Sequence, residues 1–159
     1  MTNERETGRE LKIQKIKNGT VIDHLPAGSA LTVLRILGVD KDFKNSVSVA
    51  MNVQSKQIGM KDVVKVEDRI LRPEETDKLS LIAPEATINI IRDYGVSQKN
   101  KVTIPKEIIG VLKCGNPSCI TNRREPVTAV FVVEKEKPIV LRCKFCERIM
   151  EKDLIEIQF

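Results

Sequence analysis

Apolar residues along this chain recur mostly at every second position, in short runs divided by turn-forming residues, and only two stretches carry a helical pattern. Leu11-Lys12-Ile13-Gln14-Lys15-Ile16 alternates apolar and polar, which predicts a strand. After Asn18-Gly19, the run Thr20 to Leu25 reads as a second extended piece, ended by Pro26. Ser29 is placed to cap a helix over Ala30 to Leu37, and Gly38 to stop it. Ser46 to Val53 and Asp62 to Glu67 read as further strands, with a turn-like stretch from Gln54 to Gly59 between them. Pro73 to Ile82 is predicted as a second helix, with proline in its first turn, acids near its N-terminus and Pro84 beyond its end. Ala86 to Ile91 is a β-branched strand, and Tyr94 to Lys101 supplies one more. Two helices among mostly antiparallel strands predict an α+β fold. Its expected form is a ferredoxin-like sheet with both helices on one face and an edge or face left to pair with a second copy.

The segment 102–110 contains Pro105 and is read as a linker between an N-terminal domain over 11–101 and a C-terminal domain over 111–159. The second domain carries all four cysteines and three strand-like runs, Val127 to Val133, Pro138 to Leu141 and Leu154 to Phe159. A piece of about 50 residues is small for a self-sufficient core, so a metal staple is expected in a small β zinc-ribbon domain. The first ten residues, MTNERETGRE, are charged and polar and are expected to form a disordered tail.

Composition narrows the chemistry. Aromatic residues make up only 3% of the chain and tryptophan is absent, so the core must be aliphatic. No apolar run approaches the roughly 20 residues that span a bilayer, and no signal-peptide core opens the chain, so a cytoplasmic protein is expected. The net charge of +5 is unevenly spread. Between Lys99 and Arg148 there are 11 Lys/Arg against 5 Asp/Glu, and the rest of the chain is near balance. Part of that excess offsets the formal −2 of a tetrathiolate zinc site. The remainder suits an acidic protein surface or nucleic acid.

The cysteines fall as Cys114-x₄-Cys119 and Cys143-x₂-Cys146, two close pairs 23 residues apart. Each pair fits one tight turn with both sulfurs pointing the same way. Two such turns facing each other place four sulfurs at the corners of a tetrahedron, the geometry of closed structural zinc sites. Free thiols, disulfides and an iron–sulfur cluster are the competing readings, and the first two sit poorly with this spacing in a reducing compartment. One structural Zn²⁺ per chain is therefore expected. No Ser/His/Asp or Cys/His set, phosphate loop or open metal site marks the chain as an enzyme.

Several separate motifs carry a resemblance. Lys17-Asn18-Gly19-Thr20-Val21-Ile22-Asp23-His24-Leu25-Pro26-Ala27 resembles the opening of the regulatory chain of aspartate carbamoyltransferase. The likeness continues in Met60 to Glu67, in Leu81 to Asn89, in Tyr94-Gly95-Val96, in the cysteine spacings and in Glu125-Pro126-Val127 between them. The resemblance covers nearly the whole chain after residue 10. It implies a non-catalytic subunit whose N-terminal domain binds CTP and ATP, with UTP a further candidate, and whose zinc domain docks on the catalytic chain. It also implies homodimers of regulatory chains that bridge catalytic trimers in a dodecamer of six catalytic and six regulatory chains. Such an assembly controls the first committed step of pyrimidine biosynthesis. By motif, the nucleotide contacts fall on Ile16, Asp23, His24, Lys65, Asn89, Tyr94 and Lys99. Lys99 and His24 suit phosphate oxygens, Lys65 and Asp23 ribose hydroxyls, and Ile16 with the backbone near Tyr94 the base.

Each residue also has a plainer reading. His24 is a lone histidine, Asp23 a turn-initiating carboxylate, and Lys65 a lysine on the solvated face of a half-buried strand. Asn89 lies in a strand, where asparagine is disfavoured, which favours a specific role. The string Ser97 to Lys101 departs from the family pattern and offers two lysines, as does the first cysteine loop at Gly115 and Ser118. The alternative function is a basic zinc-ribbon protein that binds nucleic acid. Only Phe131 and Phe145 near the cysteines supply the aromatics such a surface needs.

Overall fold

The computed structural model describes residues 15–159. The tail expected over 1–10 and most of the strand expected over Leu11 to Ile16 lie outside the described residues. The elements run β1 (Gly19–Pro26), α1 (Ala30–Ile36), β2 (Val47–Ser55), β3 (Gly59–Glu67), α2 (Pro73–Ile82), β4 (Thr87–Arg92), β5 (Gly95–Lys101), β6 (Glu107–Ile109), β7 (Val130–Glu136), β8 (Ile139–Cys143), β9 (Ile149–Glu151) and α3 (Lys152–Glu156). A single 3₁₀ turn, Ile120–Asn122, follows the second cysteine.

The first sheet has the order β2-β3-β1-β4-β5. Its pairs β1 with β3, β1 with β4 and β2 with β3 are antiparallel. The βαββαβ element order with this strand order is the ferredoxin-like α+β arrangement, extended by β5 at one edge. Alternation gives the sheet two different faces. Thr20, Ile22, Val64, Val66, Ile88 and Ile90 are buried on one. Val21, Asp23, Lys65 and Asn89, half-buried, lie on the other with Thr87 and Ile91.

Local chemistry fixes the helix ends, but Ser29 does not cap α1 with its side chain: its hydroxyl donates to the Pro26 carbonyl at 2.7 Å, and the Ala30 N–H donates to Asp62 Oδ2 at 3.0 Å. Gly38, at φ +69, ends α1, with the Val39 N–H donating to the Leu34 carbonyl and the Gly38 N–H to that of Arg35. At the start of α2 the buried Glu75 accepts from the Arg72 N–H at 2.9 Å.

By contacts, one compact unit holds residues 15–30, Lys44–Ile70 and Thr87–Asn100, and thus the first sheet. The other holds Leu31–Phe43, Leu71–Ala86 and Lys101–Phe159, and thus both longer helices together with the second sheet, ordered β6-β7-β8-β9. Its core joins Leu81 of α2 to Ile108, Leu112, Phe131, Leu141, Met150, Ile155 and three of the cysteines.

Two local expectations need correcting. Glu107–Ile109, inside the segment read as a connection, form β6 and pair with β7. The run Leu154 to Phe159, read as a strand, is instead α3 and a closing turn. Ile155 is fully buried while Ile157 is 76% exposed, so the period is not two. The strand at this end is β9, three residues long and too short to show a period. Among the described residues, no helix is long and apolar enough to cross a membrane.

Candidate functional sites: a four-sulfur centre and a sheet cavity

Two loops bring the cysteines together. In the first, the Cys119 N–H closes a turn onto the Asn116 carbonyl at 3.0 Å. The Asn122 side-chain amide donates to the carbonyls of Cys114 at 2.8 Å and Asn116 at 2.7 Å, fixing the loop from outside. In the second, Cys143 ends β8, and Glu147, at φ +62, turns the chain so that the Cys143 N–H reaches the Arg148 carbonyl. Gln158 clamps Lys113, next to Cys114, by donating to its carbonyl and accepting from its N–H, both at 2.8 Å.

The four sulfurs lie within 4.8 Å of one another, and the cysteines form no disulfide. Cys114 and Cys146 Sγ are 3.5 Å apart, and Cys119 and Cys143 Sγ 3.8 Å. A tetrahedral site with metal–sulfur bonds of about 2.3 Å has edges of about 3.8 Å. Donors already point at the sulfurs: the Asn116 N–H at Cys114 and the Thr121 hydroxyl at Cys119. Burial pushes the Cys114 thiol up to about 12, where its neighbours Cys146 and Cys143 also raise it. Burial likewise opposes ionisation of Cys146, but the Arg148 N–H, Asn116 and the adjacent cysteines outweigh it and bring that thiol down to about 6. Four thiolates this close repel one another, and a divalent cation at their centre removes the conflict. The residues fit a closed, structural metal site.

The second site is a cavity of about 230 Å³ on the half-buried face of the first sheet. Lys65, Val21 and Asn89 stand side by side across β3, β1 and β4 and form its floor. Ile16, Ile91, Tyr94 and Val96 make an apolar end, and Lys15 stands at the rim. Asn89 Oδ1 is buried and has no hydrogen-bond partner among the described residues. One row along, Asp23 lies opposite Thr87. Burial raises the Asp23 pKa, but the Lys61 ammonium 2.7 Å away and the His24 N–H more than compensate, holding it below the usual carboxylate value. Lys65 is lowered by burial and by Lys15, against the opposing pull of Asp23. His24, at φ +57, sits at a register shift in β1, its Nδ1 3.2 Å from Thr87 Oγ1.

Of the nucleotide contacts expected from sequence, Ile16, Lys65, Asn89 and Tyr94 line one cavity. Asp23 and His24 lie beyond its polar end, and Lys99 is on β5, exposed and outside the lining. Sequence reasoning did not single out Lys15, Val21, Ile91 and Val96. Val21 and Ile91 were within reach, since two-residue periodicity puts them on the face of Asp23 and Asn89.

A ferredoxin-like sheet with a half-polar cavity and a four-sulfur module that fits a metal are carried in one two-part chain. Two family models cover it: "aspartate carbamoyltransferase regulatory chain, allosteric domain" matches residues 11–103, and "aspartate carbamoyltransferase regulatory chain, metal binding domain" matches residues 106–156. A chain named aspartate carbamoyltransferase regulatory chain from Methanothermobacter thermautotrophicus is 53% identical over 150 residues, 94% of this chain and 96% of the relative. One from Pyrococcus horikoshii is 54% identical over 147 residues, 92% and 96% of the two chains. One from Saccharolobus solfataricus is 51% identical over 144 residues, 91% of each. The chain belongs to the family of aspartate carbamoyltransferase regulatory chains, and it is a regulatory chain rather than a catalytic one.

Proposed function

We propose that this chain is the cytoplasmic allosteric subunit of an aspartate carbamoyltransferase and binds CTP and ATP, with UTP a further candidate, in the cavity of the first sheet. In that role it controls the first committed step of pyrimidine biosynthesis. The observation that carries the reading is the cavity itself. It has an apolar end for a base and, on its floor, Lys65 and Asn89 either side of Val21, the Asn89 acceptor unpartnered among the described residues; Asp23 and His24 lie beyond it for sugar and phosphate. Lys99 is assigned to the phosphates on the family motif alone. Removing Lys65 takes away one charge-assisted contact. Lys65→Ala is expected to weaken CTP and ATP by roughly ten- to a hundredfold, from about 1.5–3 kcal/mol. Calorimetry on the full chain checks this, and unchanged affinity for both nucleotides would remove Lys65 from the site.

The four-sulfur centre holds one Zn²⁺ per chain in this reading, through Cys114, Cys119, Cys143 and Cys146. The metal supplies a rigid cross-link between the two loops, and the surrounding hydrogen bonds aim the sulfurs. The module docks on the catalytic chain. Ile120 and Phe145, 44% and 47% exposed beside the cysteines, are apolar residues that a partner surface would cover.

Two copies pair within a dodecamer of six catalytic and six regulatory chains, and β2 is the proposed seam. It is an edge strand whose nine residues, VSVAMNVQS, include no charge and no proline. An unguarded edge of that length invites pairing with another strand. Val49 and Met51 on it, with Ile58 and Met60 on the adjoining hairpin, are each 38–44% exposed. A two-fold axis beside β2 would cover this patch with its own copy. Met51→Lys is expected to weaken the regulatory dimer by at least about tenfold, since it sets like charges near the axis. Sedimentation of the free regulatory chain reads this out, and an unchanged dimer would move the seam elsewhere.

A further inference from the structure

We propose that Asn18 is a positioning residue for the effector cavity: its side chain latches the turn that holds Tyr94 over the apolar end. The inference rests on the nucleotide reading of that cavity. β4 and β5 are joined by a tight turn centred on Asp93 and Tyr94, with φ of +48° and +65°. Two positive φ values mark the turn type that suits strand twist and that favours asparagine or aspartate followed by glycine. Aspartate tolerates the left-handed region. A tyrosine there works against its own backbone preference and needs its surroundings to hold it.

The surroundings are the residues just before β1. The Asp93 N–H donates to Asn18 Oδ1 at 3.2 Å, and the Tyr94 N–H to the Lys17 carbonyl at 2.9 Å. Asn18 is itself fixed, because its carbonyl accepts from the Asp68 N–H at 3.0 Å. The next residue, Gly19 at φ +140, passes so close to β3 that a Cβ would collide with the Val66 carbonyl oxygen. The Asn18-Gly19 step is therefore a rigid post and the turn is hung from it. Two sides of the cavity meet there, Lys15 and Ile16 from the approach to β1 and Tyr94 and Val96 from the turn and β5. Without the side-chain bond, the strained turn is free to relax and carry the Tyr94 wall away from the base. The polar end, built from β1, β3 and β4, does not depend on the latch.

That separation gives the test. Binding of CTP and of inorganic tripolyphosphate is measured on the full, metal-loaded chain for the native protein, Asn18→Ala and Asn18→Asp. Exchange of the Asp93 and Tyr94 amide hydrogens is followed in parallel. The alanine variant is expected to lose about fivefold in CTP affinity, the equivalent of one hydrogen bond. Its tripolyphosphate binding should not change, its two turn amides should exchange faster, and aspartate, which keeps an accepting oxygen, should restore CTP binding. If CTP affinity is unchanged in Asn18→Ala, if both ligands weaken together, or if the turn amides keep their protection, Asn18 is not a positioning residue. Failure of the native chain to bind CTP at all is a different result. It overturns the nucleotide reading, and the proposal with it, whereas a native chain that binds with an insensitive alanine variant overturns the latch alone.

Discussion

Cys143→Ser is expected to release the metal and unfold the C-terminal module, the largest effect of any single change considered. Cys143 is fully buried, ends β8 and faces Cys119 at 3.8 Å. A serine hydroxyl is a poor substitute for a thiolate, and three sulfurs hold zinc much less tightly than four. Structural zinc in small domains supplies about 10–16 kcal/mol, more than the net stability of most domains. The loss should spread past the cysteine loops, because Leu81 of α2 is buried in the same core and Lys137 pairs with Glu85 just beyond that helix. The first sheet should keep its strands. In the holoenzyme, a mercurial that captures the sulfurs should detach the regulatory chains, leaving a catalytic trimer that is active and deaf to CTP and ATP. Metal affinity should also fall as the medium is acidified. Protons compete with the metal for all four thiolates, so binding weakens as the pH falls. Elemental analysis with far-UV spectroscopy decides the first point. A metal-free chain that keeps both sheets, or a complex that stays whole without zinc, would show that the centre is not the staple.

How much of this was legible beforehand depended on whether a residue's role was local or long-range. The span of α2 was readable because Pro73, its acids and Pro84 act within a turn of their own positions. The cysteine centre was readable because two short spacings set its geometry. The cavity was partly readable. Asn89 and Lys65 stood out as polar residues in strands, but only the register sets them on either side of Val21. What stayed hidden are contacts between residues far apart in sequence. Nothing in Asn18-Gly19 announces that Asp93 will hang from it 75 residues later. The end of the chain misled for the opposite reason: Leu154 to Phe159 is short and apolar, a run whose type periodicity cannot decide.

Asp62 is the clearest case of such hidden work, and Asp62→Ala is expected to cost on the order of 4 kcal/mol. From the sequence Asp62 is the first residue of a strand and nothing more. In the fold it is fully buried, on β3 opposite Leu25. Its Oδ1 accepts from the Asn52 N–H at 2.9 Å. Its Oδ2 accepts from the N–H groups of Gly28 at 2.9 Å and Ala30 at 3.0 Å. One carboxylate thus ties down the irregularity of β2, where Asn52 sits at φ +56, and the turn that leaves β1. A hydrogen bond to a charged acceptor is worth about 1.5–3 kcal/mol, and alanine would leave three donors without a partner at once. The sum is not additive, because water reaches some of the freed donors, hence about 4 rather than the full total. Asp62→Asn separates the contributions. The amide keeps one accepting oxygen, so it can serve either Asn52 or the Gly28 and Ala30 pair, while its NH₂ faces the other donors. It should cost about half as much as alanine. Because the same turn anchors the end of β1 that carries Asp23 and His24, both variants should also weaken CTP in proportion to the stability they lose. Urea unfolding with parallel calorimetry checks this. A loss below about 1 kcal/mol for alanine, or an asparagine variant as damaged as the alanine one, would mean that these three bonds are not what holds the turn.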